Sequence, residues 1–551
     1  MNVSIETIRE IEEKVIELGG IVESTTETTI FAEIPRKNIK ELAKWLYNSG
    51  AFLKTCVGVD ERIIDNRLAL YYIFGLDEKG LDVVVKISSL EREVLPSIID
   101  IIPGAEWCEL EARDLVGLHI LGHENKPRFI LPQDWPEGVY PLRKDIPHDY
   151  RPPLNTEKFI EELPREVGLP IGPYHPVLHE PEYFELYVES ERVIDVEYRG
   201  FHVHRGIEKL AESPRFTYKI IPFIAERICG ICGFVHSSCY VLAVERAAKI
   251  NVPERAEYIR SILLEIERVQ SHLLWLGVVA HILGYDAGFM HMWRIREPIM
   301  ILAELLTGSR KTYGINIIGG VRRDIDEDKK KKALESLRGI REEFRRFVDV
   351  YISVPEIVKR ATGTGILPRD VARALSVVGP TARGSGLNRD IRRDYSYFAY
   401  KHVSFKVPVY TEGDNLARLL VRVDEVFESI SVIEQLLDML PKGPIAVESY
   451  EIPPLKKAVA AIEAPRGEDV HFIITGLDRP YRWRVRSPTY QNIPALRVML
   501  KNTPLADAFL TIASIDPCFS CTDRVIVVHD VKSSSKKFVS LFEGRKYAAN
   551  N

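Results

Sequence analysis

The first residues of the chain set apolar and charged positions in helical alternation. Ile5, Ile8, Ile11, Val15 and Ile16 fall near three- and four-residue steps, and Gly19 and Gly20 stop the run. An alternating strand follows from Thr29 to Ile34, and Pro35 leads into a second helical pattern, Asn38 to Tyr47. Strand-like runs come next at Phe52–Val59, Leu68–Phe74 and Leu81–Ile87, then a charged helical segment from Ala105 to Val116. Strands grouped between separate helices predict one α+β unit over residues 1–145. Residues 146–175, with Pro147, Pro152, Pro153, Pro164, Pro170 and Pro173, read as a linker. A strand-rich segment, Glu182 to Val203, opens the second domain, which then turns mainly helical. Its clearest helix starts at Asn251-Val-Pro253, a cap followed by a first-turn proline, and carries Ile259, Ile262, Leu263, Ile266, Val269 and Leu273 on one stripe. Asp326–Val350 reads as a charged, solvated helix and Asn415–Leu440 as another amphipathic one, so a helix bundle is expected at the core.

Composition narrows the class. The 551 residues are 46% hydrophobic and 28% charged with formal net charge −5, which suits a large folded core and excludes a disordered chain. The mild acidity gives no electrostatic case for binding nucleic acid. The start lacks the apolar core of a signal peptide, and the longest apolar stretch, Leu273–Tyr285, is too short to span a bilayer. A cytoplasmic setting is therefore expected, where thiols stay reduced and paired cysteines more often bind metal or do redox work.

Seven cysteines are present, and four form two C-x-x-C pairs: Cys229/Cys232 and Cys518/Cys521. Two such turns supply four sulfur ligands. The pairs lie too far apart for a local zinc knuckle, so the fold must bring two distant turns together. From spacing alone, a stabilising zinc or a dithiol redox motif also remains open. Cys56, Cys108 and Cys239 read as small core residues. The His202-x-His204 pair could suggest a metal but sits at the end of a strand-like segment beside Arg205, and the glycine-rich run Gly379–Gly386 lacks the lysine of a phosphate loop and reads as a close backbone turn.

The flanking residues carry more information. Arg227-Ile-Cys-Gly-Ile-Cys-Gly-Phe-Val-His236 and Asp516-Pro-Cys-Phe-Ser-Cys-Thr-Asp-Arg524 resemble the two signatures of nickel-iron hydrogenase large subunits, in the variant of the membrane-associated, energy-converting group. Glu109–Asp114, Leu131–Trp135 and Pro141–Asp145 resemble the C subunit of respiratory complex I. Gly172–Pro176, His204–Lys209 and Gly379–Gly386 resemble its D subunit. A chain that fuses both and keeps four cysteines is similar to the hydrogenase large subunit of formate hydrogenlyase. The resemblance implies an N-terminal α+β C-subunit-like domain, a mainly helical catalytic domain over 176–524, and a C-terminal extension, 525–551.

By that resemblance, Cys229 and Cys518 are terminal nickel thiolates, and Cys232 and Cys521 bridge nickel to an iron bearing carbonyl and cyanide. His236 hydrogen-bonds a bridging sulfur. Arg466, in Glu463-Ala-Pro-Arg-Gly467, holds its guanidinium over the open metal position, and Asp516 pairs with it. Glu180 takes protons from a terminal cysteine, and Arg383 lies in the proton path or the cofactor shell. The resemblance also allows a magnesium near the mature C-terminus. A nickel-dependent endopeptidase is expected to cut between Arg524 and Val525 after a chaperone has delivered nickel.

No cysteines are left for an iron–sulfur cluster in this chain. Electrons are therefore expected through a separate iron–sulfur small subunit, from formate dehydrogenase, ferredoxin or carbon monoxide dehydrogenase. Membrane ion-translocating subunits would hold the complex at the inner face of the cell membrane. The reaction implied is reduction of protons to hydrogen or its reverse. The competing readings are a metal-free complex I-like quinone platform, a sulfur-reducing membrane complex and a zinc-stabilised scaffold.

Overall fold

The computed structural model describes residues 5–133, 135–150, 152, 168–171, 183–201, 205–519, 528–530 and 535–537. The N-terminal elements are α1 (Ile5–Glu17), β1 (Ile21–Thr25), β2 (Thr29–Glu33), α2 (Ile39–Asn48), β3 (Phe52–Glu61), β4 (Arg67–Leu76), β5 (Leu81–Ser89) and α3 (Glu106–Val116). The five strands form one sheet in the order β1-β2-β5-β4-β3, antiparallel except for the β2–β5 pair. The α+β expectation holds.

The alternation expected for Thr29–Ile34 does not: four of the five positions of β2 are buried. Positions along β3, β4 and β5 are buried almost without exception, because both faces of the sheet are covered. Leu70, Tyr72 and Phe74 pack with Ile11, Val15, Leu42 and Leu46 of α1 and α2. The intervening Val57, Val59, Tyr71 and Ile73 join the core of the second domain. Cys56 and Cys108 are buried in the outer layer, as a packing role requires.

The second domain opens with β6 (Gly168–Ile171), β7 (Tyr183–Glu189) and β8 (Arg192–Arg199), then turns helical: α4 (Gly233–Ala248), α5 (Glu254–Ile282), α6 (Asp286–Thr307) and α7 (Glu327–Tyr351). A short α8 (Gly379–Arg383) precedes the long α9 (Asn415–Asp438). The sequence reading missed a second sheet, β9 (Lys457–Ala464), β10 (Gly467–Thr475) and β11 (Pro480–Arg486), which is followed by α10 (Leu505–Ser514). Helix α5 packs against α6 and α9, and α4 lies on β9 and β10.

Three helix expectations need adjustment. α5 starts after Pro253 with no side-chain cap; Asn251 lies too early to reach its first turn. It is buried nearly all round, charged residues included, instead of showing one apolar stripe. α7 is solvated on one side only; Ala333, Leu337, Ile340 and Phe344 bury the other. Asp326 and Asp414 do act as caps, accepting the backbone N–H of Lys329 and Ala417 at 2.8 Å. Among the described residues, no helix is long and apolar enough to cross a membrane.

The two domains are joined by buried charge. β3 is an edge strand, and its free carbonyls are taken by guanidiniums of the second sheet: Arg486 Nε donates to Lys54 O at 2.7 Å and Arg482 Nε to Gly58 O at 3.1 Å. Lys54 Nζ lies 2.8 Å from Asp82 and 3.1 Å from Glu468. Lys54→Met would leave both carboxylates buried without their ammonium. It is expected to cost about 3–5 kcal/mol, read as a lower urea midpoint; an unchanged midpoint would show that this contact does not hold the domains together.

Candidate metal centre

The first C-x-x-C turn leads directly into α4. Cys232 is the residue before the helix, and Gly233 opens it. A side chain at Gly233 would collide with Tyr313 and Glu226 O at about 2.5 Å, so only glycine lets the turn seat this deeply. Cys229 Sγ accepts from the backbone N–H of Ile231 at 3.2 Å and of Cys232 at 3.1 Å, an arrangement that favours thiolate. Tyr313 Oη donates to Cys229 O at 2.9 Å.

The second turn follows α10. Asp516 sits at φ 53°, a left-handed conformation that aspartate tolerates and that swings the chain sharply into Pro517 and Cys518. Cys518 N–H donates to Thr489 Oγ1 at 3.0 Å. The fold thus brings both turns together: Cys229 Sγ lies 3.2 Å from Cys518 Sγ and 3.0 Å from Cys232 Sγ, all three buried. No disulfide joins the six cysteines among the described residues. Cys521, Glu180, Arg524, Val525, His202 and His204 lie outside the described residues.

Arg466 reaches the same point from the tip of the β9–β10 hairpin. That tip is packed backbone to backbone on the start of α8, where a side chain on Gly379 would stand 2.3 Å from Arg466 O and one on Gly467 2.6 Å from Gly379 N. The two glycine motifs of the sequence are one contact in space. The guanidinium donates to Asp516 O and Oδ1, both at 2.8 Å, and to Ser271 Oγ at 3.1 Å. Burial opposes its charge, but Asp516 and the three cysteines more than reverse this and hold it above its ordinary value.

His236 stands one helical turn beyond Cys232. Its Nδ1 faces Asp469 Oδ2 at 3.1 Å and His471 Nε2 at 3.5 Å. The sequence reading gave His236 a sulfur contact and did not single out Asp469 or His471. Burial opposes ionisation of Asp469, yet the two histidines draw it far below the usual carboxylate range. Two ionisable residues at alternate positions of an apolar strand, Asp469 and His471, just after Arg466, were the available signal.

Behind the site lies a layer of buried ion pairs, of which only Arg383 was foreseen. Arg383 binds Glu425 at 2.6 Å and Glu463 at 2.8 Å, and Glu425 pairs with His272 at 2.8 Å. Burial pushes His272 down to about 4, so it is neutral at ordinary pH. Arg392 binds Asp390 at 2.6 Å and Glu265 at 3.1 Å. Glu265, Arg268 and His272 recur at three- and four-residue steps within apolar α5, a pattern that reads as a charged stripe once the helix is known to be buried all round.

Two further carboxyls flank the first cysteine turn. Glu267 accepts from Phe234 N–H at 3.0 Å and Val235 N–H at 3.3 Å, and burial, reinforced by Cys229, pushes it well above the carboxylate range. Glu226 accepts from Gly314 N–H at 2.7 Å, and burial pushes it up to about 7. The folded state therefore binds a proton more readily than the unfolded chain, and Glu226 lowers stability as pH rises from about 4.5 to about 7. Glu226→Gln keeps the acceptor and removes the titration. Its melting temperature is expected to fall less than that of the native chain between those pH values; parallel curves would show that Glu226 does not titrate there.

The donor set fits a thiophilic centre. Cys229, Cys232 and Cys518 bring three buried sulfur donors within 4.8 Å of one another, a set that would suit a soft metal.

Comparison with known proteins supports a nickel-iron centre. The family model "Nickel-dependent hydrogenase" matches residues 205–280. "Respiratory-chain NADH dehydrogenase, 30 Kd subunit" matches 32–152, and the corresponding 49 Kd subunit matches 283–459 and 449–524. Formate hydrogenlyase subunit 5 of Escherichia coli (strain K12) is 43% identical over 523 residues, covering 93% of this chain and 91% of that protein. Membrane-bound hydrogenase subunit alpha of Pyrococcus furiosus is 40% identical, over 66% of this chain and 89% of its own length. A chain from the solved structure of the membrane-bound sulfane sulfur reductase, an archaeal respiratory membrane complex, has TM-score 0.62 and 32% identity, covering 65% of this chain and 98% of its own.

Proposed function

Because this chain belongs to the nickel-dependent hydrogenase family, in the branch that carries parts like the 30 and 49 Kd subunits of respiratory-chain NADH dehydrogenase, we propose that it is the large catalytic subunit of a membrane-associated nickel-iron hydrogenase of the formate hydrogenlyase type. The observation that carries this reading is the convergence of Cys232 Sγ and Cys518 Sγ on Cys229 Sγ, at 3.0 Å and 3.2 Å, beside the Arg466–Asp516 pair.

Cys229, Cys232, Cys518 and Cys521 would hold the centre, with carbonyl and cyanide on the iron and a magnesium ion beside the mature C-terminus. When bound, the centre would supply the site where hydrogen is split into two protons and two electrons, or formed from them. The chain's own residues do the rest. Arg466, tied at three points, presents a fixed cation that polarises hydrogen in a place closed to water. Thr489 fixes the Cys518 main chain. Glu180 takes the proton from a cysteine.

Electrons pass to or from a separate iron–sulfur subunit, with formate dehydrogenase or ferredoxin as donor, and membrane subunits tie the assembly peripherally to the inner face of the cell membrane. Removal of 525–551 after Arg524, by an endopeptidase that follows a nickel chaperone, completes maturation. The end of the family match at residue 524 supports that boundary.

The test is metal analysis of the complex purified without oxygen. About one nickel per chain is expected, with infrared bands of iron-bound carbonyl and cyanide and with hydrogen–deuterium exchange. Zinc without nickel would sink the proposal. The likeness to the sulfane sulfur reductase keeps a sulfur-reducing reading in view; sulfane sulfur reduction without hydrogen exchange would favour it.

A further inference from the structure

Arg422, on α9, is fully buried, and among the described residues no carboxylate forms an ion pair with it. Its Nη1 donates to Arg418 O at 2.8 Å, while its Nε and Nη2 have no hydrogen-bond partner. The guanidinium carbon stands 4.1 Å from the centre of the Trp275 ring. Burial pulls its pKa down to about 10, so at pH 7 the group is still charged.

Two contacts set where that charge stands. Trp275 Nε1–H donates to Ala513 O at 2.7 Å, and Arg418, one turn before Arg422, donates from Nε to Ser514 Oγ at 2.9 Å. Both acceptors lie in the last turn of α10, which leads into Asp516 and Cys518. Asp516 is accordingly the strongest attraction that Arg422 feels, ahead of Glu425. Each of those carboxylates already has a cation: Arg466 at 2.8 Å from Asp516 and Arg383 at 2.6 Å from Glu425. Arg392 has Asp390 at 2.6 Å, and Arg268 has Glu265 at 3.2 Å. Arg418 bonds only neutral oxygens, and the nearby Asp414 favours its charge. The carboxyl left over, Glu463, is bound to Arg383, and burial pushes it above the ordinary carboxylate range, toward its uncharged form.

A buried charge without a partner is costly, and an apolar residue of similar size is normally the more stable choice in its place. A loaded cysteine site reverses that preference. Two divalent metals cancel four thiolates, and each cyanide on the iron then adds one negative charge. Resting on the functional reading given above, we infer that Arg422 is a buried counter-charge for the loaded centre, acting across Asp516, which it attracts together with Arg466. The chain without metal carries an unbalanced cation at the base of the second cysteine turn; the loaded chain balances it.

Three variants separate charge from packing. Arg422→Met keeps a side chain that can lie on the Trp275 ring and removes the charge. Arg422→Gln removes the charge but keeps an N–H donor, and Arg422→Lys keeps the charge. The full-length chain, produced without nickel, is melted first. R422M and R422Q are expected to melt at or above the native temperature, whereas Arg383→Met, which leaves Glu425 and Glu463 without their guanidinium, should melt below it. In the loaded complex the order reverses. R422M and R422Q should hold nickel against a chelator about 10- to 100-fold less well and move the iron-bound carbonyl and cyanide bands to lower wavenumber, with R422K close to the native protein.

Nickel-free R422M and R422Q both melting well below the native chain would overturn the inference. So would native bands with native nickel retention in those variants, or an R422K that behaves like R422M. A native complex that holds zinc in place of nickel defeats the functional reading instead, and the nickel-free melting series still decides whether Arg422 is an unbalanced charge.

Discussion

Cys518→Ala, produced with ample nickel, is expected to carry no nickel and to retain residues 525–551. The reason is local. Cys518 Sγ lies 3.2 Å from Cys229 Sγ, and its backbone N–H is pinned by Thr489, so alanine keeps the main chain in place and removes one donor only. Loss of a single buried heavy atom costs about 1 kcal/mol, too little to unfold a domain this size. Metal loss would therefore report ligation and not collapse. Nickel and zinc analysis, with the chain mass measured in parallel, reads both outcomes. Native nickel content would remove Cys518 from the ligand set. Absent nickel with normal tail removal would break the proposed link between metal insertion and processing.

Arg466→Lys is expected to lower hydrogen evolution about 10²–10³-fold with nickel retained. The guanidinium makes two bonds to Asp516 and one to Ser271. Lysine keeps a charge but not the planar fork that fixes it over the cysteines. Asp516→Asn should lose less, because the main-chain oxygen still accepts from Arg466 and asparagine tolerates the φ of 53°. Activity with a reduced dye, set beside nickel content, checks this. Nickel lost in step with activity would mean that Arg466 holds the site together and does not act on hydrogen.

The cysteines were legible because their chemistry needs two thiols three residues apart, and that spacing survives any fold. Arg466, Asp516 and His236 were legible because they sit inside those same short motifs or one like them. The Arg466–Asp516 pair was read as such and is present in the structure. Asp469, His471, Glu267 and the ion pairs around Arg383 were not read from the sequence. Most of their partners lie on other elements, and the local signals they leave, alternate positions on β10 and three- and four-residue steps on α5, mean little until the burial of those elements is known. The sheet β9–β11 was overlooked for a related reason: its strands are buried on both faces and carry arginines and carboxylates inward, so neither alternation nor an apolar run announces them.

The sequence by itself determined the two cysteine pairs, the helices and all but the first strand of the N-terminal unit, and the fusion of two kinds of domain. These depend on periodicity and on short motifs, which act within a few residues along the chain. Only the tertiary structure decided which charges are buried together, that the Gly379 and Gly467 motifs form one contact, and that His236 is held by a neighbouring strand. Those facts depend on which surfaces meet, and a buried charge is stable only beside a partner that the fold brings to it.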